Sequence, residues 1–195
     1  MTSAELVTRP VTPDRVEDFL DVVNPNRRDT HCFCMVHRLR SHDIEELGGR
    51  EAAFRALCER EHSPGVVGYD ADGVAVGWCN IGPRSEMSAL TASRKIRPID
   101  DVPVWSIVCT VIRGGHRRRG YTRPLVEGAV SYAFERGAPA VETYPVDAGS
   151  DRIDTTMAFV GTVAMFADAG FEVAGETDAV ASRRPRIVMR RWASG

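Results

Sequence analysis

A chain of 195 residues, 43% apolar and 27% charged, is long enough to bury one core, and its composition excludes collagen-like, coiled-coil and disordered proteins. A net charge of −2 gives no electrostatic basis for a nucleic-acid or anionic-membrane partner, so neither is expected. No apolar run approaches the roughly 18 residues of a membrane helix. The opening "MTSAELVTRPVTPDR" also lacks the basic-then-apolar layout of a signal peptide, so a cytoplasmic location is expected. The cysteines, Cys32, Cys34, Cys58, Cys79 and Cys109, are odd in number and scattered, which suits reduced thiols.

In chain order, "ELVTRPV" reads as a first strand. Thr12 before Pro13 then predicts an N-cap with proline in the first turn of a helix. Val16, Phe19, Leu20 and Val23 give that helix one apolar face, and "NPN" at 24–26 ends it. A second helix is predicted over about 49–60, where Ala53, Phe54, Leu57 and Cys58 share a face. "VVGYDADGVAVGWCNIGPR" reads as two antiparallel strands joined at Asp70 to Gly73. Residues 84–101 are polar without a clear period, which predicts a mobile loop or short helix over one edge.

"PVWSIVCTVI" is a buried-strand run. A helix over 123–136 follows, with Leu125, Val126, Ala129, Val130, Ala133 and Phe134 on one stripe and Gly137 as its stop. "AVETYPVD" returns as a strand, "VGTVAMFADAG" as a short helix capped by Gly170, and "FEVAG" and "RPRIVMRRW" as the last strands. This order predicts an α/β fold with a sheet of mixed direction. No internal repeat or linker interrupts it, so residues 1–195 are expected to form a single domain.

The connection "RGGHRRRGYT" joins strand to helix. A helix N-terminus leaves about four N–H groups without partners and carries roughly half a positive charge, which attracts a phosphate. Gly114, Gly115 and Gly120 let the backbone approach, while Arg113, Arg117, Arg118, Arg119 and Arg123 add positive charge. Neither G-x-G-x-x-G nor G-x-x-x-x-G-K-[ST] is present, so neither a dinucleotide fingerprint nor a P-loop accounts for it. A solvated basic turn is the alternative.

Arg117-Arg118-Arg119-Gly120-Tyr121-Thr122 resembles the Q/R-x-x-G-x-G/A loop of the GNAT superfamily of acetyl-CoA-dependent N-acetyltransferases. The preceding apolar strand, the following amphipathic helix, "AVETYPV" and "MFADAGFEV" extend the likeness over residues 103–192. The resemblance implies a GNAT-like mixed, splayed β-sheet flanked by helices. It also implies an N-acetyltransferase using acetyl-CoA as co-substrate and acting by direct attack of the amine in a ternary complex. The acceptor would be a small-molecule or peptide amine; monomer and homodimer both stay open.

On the same resemblance, the backbone amides of Arg117, Arg118, Arg119, Gly120, Tyr121 and Thr122 would wrap the CoA pyrophosphate. The strand edge at Thr110, Val111 and Ile112 would bind the pantetheine arm and supply an oxyanion donor. Thr122 departs from the expected Gly or Ala; a hydroxyl at the helix start can still cap, so tolerance is expected there, with somewhat tighter space near the phosphates. Phe166 stands where many relatives have a tyrosine acid, and Ser106 where some have a glutamate base. Ser106 could hold a water but cannot deprotonate an ammonium. Asp147, with Glu142 and Tyr144, offers substitute groups. These departures keep open a non-catalytic acyl-CoA-binding or sensing module on the same fold.

Cys109, in the strand, has no adjacent histidine to activate it, so it reads as a buried filler. "HCFCMVH", with His31, Cys32, Cys34 and His37, has zinc-type residues but a poor spacing, and no metal is expected. It reads instead as a half-buried segment whose Phe33, Met35 and Val36 pack on the sheet. In the last strand, alternation turns Ile187 and Met189 inward and predicts Arg183, Arg184, Arg186, Arg190 and Arg191 on the solvated side of an edge strand.

Overall fold

Seven strands form one open sheet in the order β1-β2-β3-β4-β5-β7-β6 in a computed structural model that describes residues 5–28, 31–147, 161–181 and 183–194. The strands are β1 (Val7–Pro10), β2 (Gly65–Tyr69), β3 (Ala75–Pro83), β4 (Trp105–Ile112), β5 (Ala140–Thr143), β6 (Glu172–Ala181) and β7 (Arg184–Trp192). Only β4 and β5 run parallel; every other pairing is antiparallel. The helices are α1 (Val16–Val23), α2 (Ser41–Glu46), α3 (Arg50–Cys58), α4 (Ser88–Thr91), α5 (Thr122–Glu135) and α6 (Val163–Ala167). The predicted mixed α/β sheet with flanking helices is therefore present. None of these helices is long and apolar enough to cross a membrane.

The β2–β3 hairpin turns where Asp70 and Gly73 predicted it. The Asp70 carboxylate accepts from the amides of Asp72 (3.2 Å) and Val74 (2.9 Å), and Gly73 supplies the left-handed φ of 76°. The expected cap at Thr12 is different: residues 13–15 form a 3-10 turn, and the Thr12 hydroxyl bonds the Asp14 and Arg15 side chains instead of helix amides. α2 was not foreseen, because its six residues bury no apolar face that periodicity could reveal. Val160, at the start of the predicted "VGTVAMFADAG" helix, lies outside the described residues; the rest contains α6, shorter than predicted, with Thr162 Oγ1 accepting from Met165 N.

One face of the sheet is covered by α5. Leu125, Val126, Ala129, Val130 and Ala133 pack on Ile81, Ile107, Val141 and Met189, with Phe166 and Phe171 beside them. The opposite face carries two further clusters. α1 and α3 cover Val67 and Trp78, with Phe19 stacked on Phe54 at 3.7 Å between centroids. Full burial of each such ring contributes about 2–3 kcal/mol. Residues 84–101 cover the other part of that face, burying Met87, Leu90 and Ile96 against Val108, Tyr144 and Val188. That segment does contain a short helix, α4, but it lies over the sheet and not merely along an edge.

This cover corrects the reading of the last strand. β7 lies between β5 and β6 and is not an edge, and although Met189 does face α5, Arg186 and Arg190 are only 6% and 5% exposed. Alternation distinguishes the two faces of a strand; it cannot tell whether the second face meets water or another layer. Val36, expected on the sheet, is likewise 62% exposed, while Phe33 and Met35 are buried as expected.

Candidate active site

The site grows from a fault in the β3–β4 ladder. Asn80 pairs with Cys109 but Ile81 pairs with Ile107, so Val108 is an extra residue with no partner on β3. The bulge turns Val108 and Cys109 both toward the face opposite α5, whereas Ile107 stays with α5. β5 pairs with β4 only at Trp105, Ser106 and Ile107. Beyond that point the strands part, and the β5-facing edge of β4 over 108–112 has no strand beside it among the described residues. Thr110, Val111 and Ile112, all partly buried, lie on this open edge.

The edge runs directly into the arginine loop. Gly115 and Gly120 take φ of 83°, and Arg118 takes 64°, a left-handed angle uncommon for a side chain of its size. Among the described residues, the backbone N–H groups from Arg117 to Tyr121 donate to no main-chain carbonyl. They precede α5, whose own first amides add to the same set. Arg117, Arg118 and Arg119 are exposed, with Arg117 Nε on Ile112 O at 3.2 Å. Two arginines are committed elsewhere: Arg113 Nη1 donates to Ala75 O (3.3 Å), and Arg123 pairs with Glu127 (2.8 Å). Thr122 is the first helical residue, and no side chain caps this helix start. Such a concentration of unpaired amides, with guanidinium groups around it, fits a pyrophosphate.

Across the other face, Gly82, Ser106, Glu142 and Arg190 are successive register partners on β3, β4, β5 and β7. Gly82 leaves room for Arg38, whose Nη2 would lie 2.7 Å from a Cβ at that position. Arg38 is fully buried, bonds Asn80 Oδ1 (2.8 Å) and Pro64 O (3.1 Å), and its pKa is lowered by burial to about 10. At the far end Arg190 holds Glu142 Oε1 (2.5 Å) and both oxygens of Asp100 (2.6 and 2.9 Å). These hydrogen bonds, led by Asp100, raise the Arg190 pKa.

Tyr144 lies between these groups. Its phenol donates to Glu142 Oε2 at 3.1 Å and accepts from Arg84 Nη1. Its one hydrogen being used, the 2.9 Å contact with Ser106 must be donated by Ser106 Oγ. Burial first, then the Glu142 charge, push the Tyr144 pKa well above that of a free phenol. Tyr144 also lines a small cavity with His37, Leu90, Ile96, Val108 and Arg186, which offers about 10 Å³ for the centre of a water-sized group. His37 is half-buried there, and burial, followed by the Arg186 charge, lowers its pKa.

Of the residues singled out from sequence, Ser106 lies within the paired stretch of β4 and β5, and the Thr110–Ile112 edge lies beyond the point where the two strands part. Asp147 is exposed beyond the end of β5, its amide on Pro185 O at 2.9 Å. Phe166 is wholly buried against Phe171 in the α5 core. Cys109 is buried with its Sγ 3.2 Å from that of Cys34, whose pKa this contact raises. No group of three or more His, Cys, Asp or Glu side chains among the described residues converges as metal ligands. Arg84, Arg186 and Arg190 were missed as site residues; their common signal, arginine on strands or turns beside apolar neighbours, also describes ordinary solvated faces.

The sequence profile described as "Acetyltransferase (GNAT) family" matches residues 20–152. A comparison with curated protein sequences finds no match. Among solved structures, the chain is similar to a GCN5-related N-acetyltransferase from Kribbella flavida, with 19% identity, 96% of this chain and 98% of that one covered, and a TM-score of 0.56. An aminoglycoside acetyltransferase in complex with coenzyme A matches with 15% identity, coverage of 96% and 95%, and a TM-score of 0.52. A mutant spermidine N-acetyltransferase from Vibrio cholerae matches with 14% identity, coverage of 95% and 91%, and a TM-score of 0.54. At these identities the likeness to the solved structures is one of fold.

Proposed function

Because the chain belongs to the GNAT acetyltransferase family, we propose that it transfers an acetyl group from acetyl-CoA to an amine by direct attack in a ternary complex. The observation that carries this reading is the continuity of the open β4 edge with the amide-rich loop at Gly120. In this reading residues 1–195 form one N-acetyltransferase domain. The amides from Arg117 to Thr122 bind the CoA pyrophosphate, and Thr110, Val111 and Ile112 pair with the pantetheine arm as a further strand would. An amide on that edge, freed by the bulge at Val108, polarises the thioester carbonyl.

The acceptor, a small-molecule or peptide amine, approaches from the face opposite α5. Ser106 holds a water there through the lone pairs that its bond to Tyr144 leaves free. Asp147 is exposed to solvent and serves as a proton outlet. The leaving thiol has an ordinary pKa near 8.5, so its protonation helps but is not imperative. Cys109 takes no acyl group, being buried against Cys34. The protein works in the cytoplasm without metal, nucleic acid or membrane; homodimerisation is left to measurement.

A non-catalytic acyl-CoA sensor is favoured by one observation, the replacement of a phenol by the wholly buried Phe166. Calorimetry with CoA tests binding, and CoA release against an amine panel separates enzyme from sensor. Binding with turnover is expected; binding without turnover on any amine favours the sensor, and no binding overturns both.

A further inference from the structure

Three thiols lie in a row that the proposed acetyl transfer leaves unused. Cys32 is exposed and interacts with the thiol of Cys34; Cys34 and Cys109 are 6% and 8% exposed, with their Sγ atoms 3.2 Å apart. The row therefore runs from solvent to β4. Cys34 is held over Cys109 by its own backbone, since Phe33 and Cys34 take successive left-handed φ of 50° and 57°, which side chains rarely adopt. Asn80, the register partner of Cys109, secures this conformation by donating from Nδ2 to Cys34 O at 2.9 Å and accepting from Arg38 at 2.8 Å. Cys109 itself follows the bulged Val108 and precedes Thr110 on the open edge of β4.

We infer that Cys34 and Cys109 form a two-electron redox site, closed to a disulfide by low-molecular-weight organic disulfides that enter at Cys32, and that closure weakens CoA binding. Exchange starts when the Cys32 thiolate attacks the small disulfide, giving a mixed disulfide and one small thiol. Cys34 then attacks the Cys32 sulfur and expels the second small thiol. Cys109 in turn attacks Cys34, which forms the Cys34–Cys109 bond and returns Cys32 as a thiol. In sum the small disulfide is reduced to two thiols, and the two protein thiols lose two electrons and two protons. Hydrogen bonding to Cys34 and burial push the Cys32 pKa well up, so exchange is slow at neutral pH and the reduced form is the resting one. Bonded sulfurs lie about 2.05 Å apart, so closure draws Cys109 and the segment carrying Cys34 together by roughly 1 Å. On its β5-facing side β4 has no strand beside it over 108–112 among the described residues, so little resists that pull and Thr110 moves with Cys109. The effect on CoA rests on the acetyl-transfer reading, in which Thr110 to Ile112 pair with the pantetheine arm; the redox chemistry does not.

To test this, the full chain is incubated with excess oxidised glutathione at mildly alkaline pH, and its disulfides are mapped by alkylation and peptide mass spectrometry. Titratable thiols should fall from five to three, with Cys34 joined to Cys109 and with Cys32, Cys58 and Cys79 free. A dithiol reductant should restore all five. Cys32→Ser should slow closure several-fold, and Cys34→Ser should abolish it. A free Cys34, a different pairing as the main product, or closure at the natural rate in Cys32→Ser overturns the proposal. Calorimetry of the reduced protein with CoA tests the underlying reading by itself. Where CoA binds, several-fold weaker binding after oxidation, reversed by reductant, is expected, and an unchanged affinity overturns the proposal. No CoA binding by the reduced protein overturns the acetyl-transfer reading and the CoA effect together, while the mapping alone decides the redox site.

Discussion

Ser106 and Glu142 face each other across the parallel β4–β5 pair, and the Tyr144 phenol joins them, accepting from Ser106 Oγ at 2.9 Å and donating to Glu142 at 3.1 Å. A carboxylate thus lies one strand away from the serine, but Arg190 occupies it. Glu142 and Arg190 side chains are 2% and 5% exposed, so the pair is a structural ion pair inside the protein. We expect Glu142→Gln to lower unfolding stability by about 3 kcal/mol, because it leaves Arg190 short of a buried counter-charge. Urea denaturation measures this; Asp100→Asn, at the exposed end of the network, should cost clearly less.

Ser106→Ala removes a hydroxyl whose hydrogen is already committed to Tyr144. The stability change should be modest, about 1 kcal/mol for one hydrogen bond. If Ser106 holds a water for the reaction, kcat falls by roughly tenfold while KM for acetyl-CoA stays unchanged. Steady-state kinetics with the best acceptor of the panel checks the split.

Gly120 has a φ of 83° in the middle of the unpaired amides. Gly120→Asp places a carboxylate where the diphosphate is proposed to bind and should weaken CoA on the order of 100-fold or more, measured by calorimetry. Gly120→Asn adopts the same left-handed backbone without the charge and should bind CoA much more tightly than the aspartate variant. Equal affinities for the two would mean that backbone strain, and not charge, is responsible. Circular dichroism should show both variants folded.

His37 has a folded pKa below the unfolded value of 6.5, because burial and Arg186 oppose its protonation. Above that value both states are neutral there and the histidine adds no pH dependence. As pH falls through 6.5 the unfolded chain binds a proton that the folded chain refuses, so stability is lost until the folded pKa is reached. His37→Gln should flatten this part of the stability curve below pH 6.5, as followed by denaturant midpoints.

Local chemistry made much of the molecule legible. The Asp70–Gly73 turn, the α5 stripe and its Gly137 stop, and the loop around Gly120 each depend on residues close in the chain, so the sequence displays them directly. Three features were not legible. The bulge at Val108 arises only from pairing β3 with β4, since a register slip is a property of two strands. α2 has no buried face to mark it. The burial of Arg186 and Arg190 requires residues 84–101 to lie over the second face of the sheet.

By itself, then, the sequence determined the order and kind of most elements and the glycine- and arginine-rich loop, because periodicity, turn residues and glycine angles act over a few neighbouring positions. The tertiary structure alone decided the environment of the sheet face opposite α5. Whether an arginine on an alternating strand meets water or a carboxylate depends on which distant segment covers it, and strand alternation carries no information about that cover.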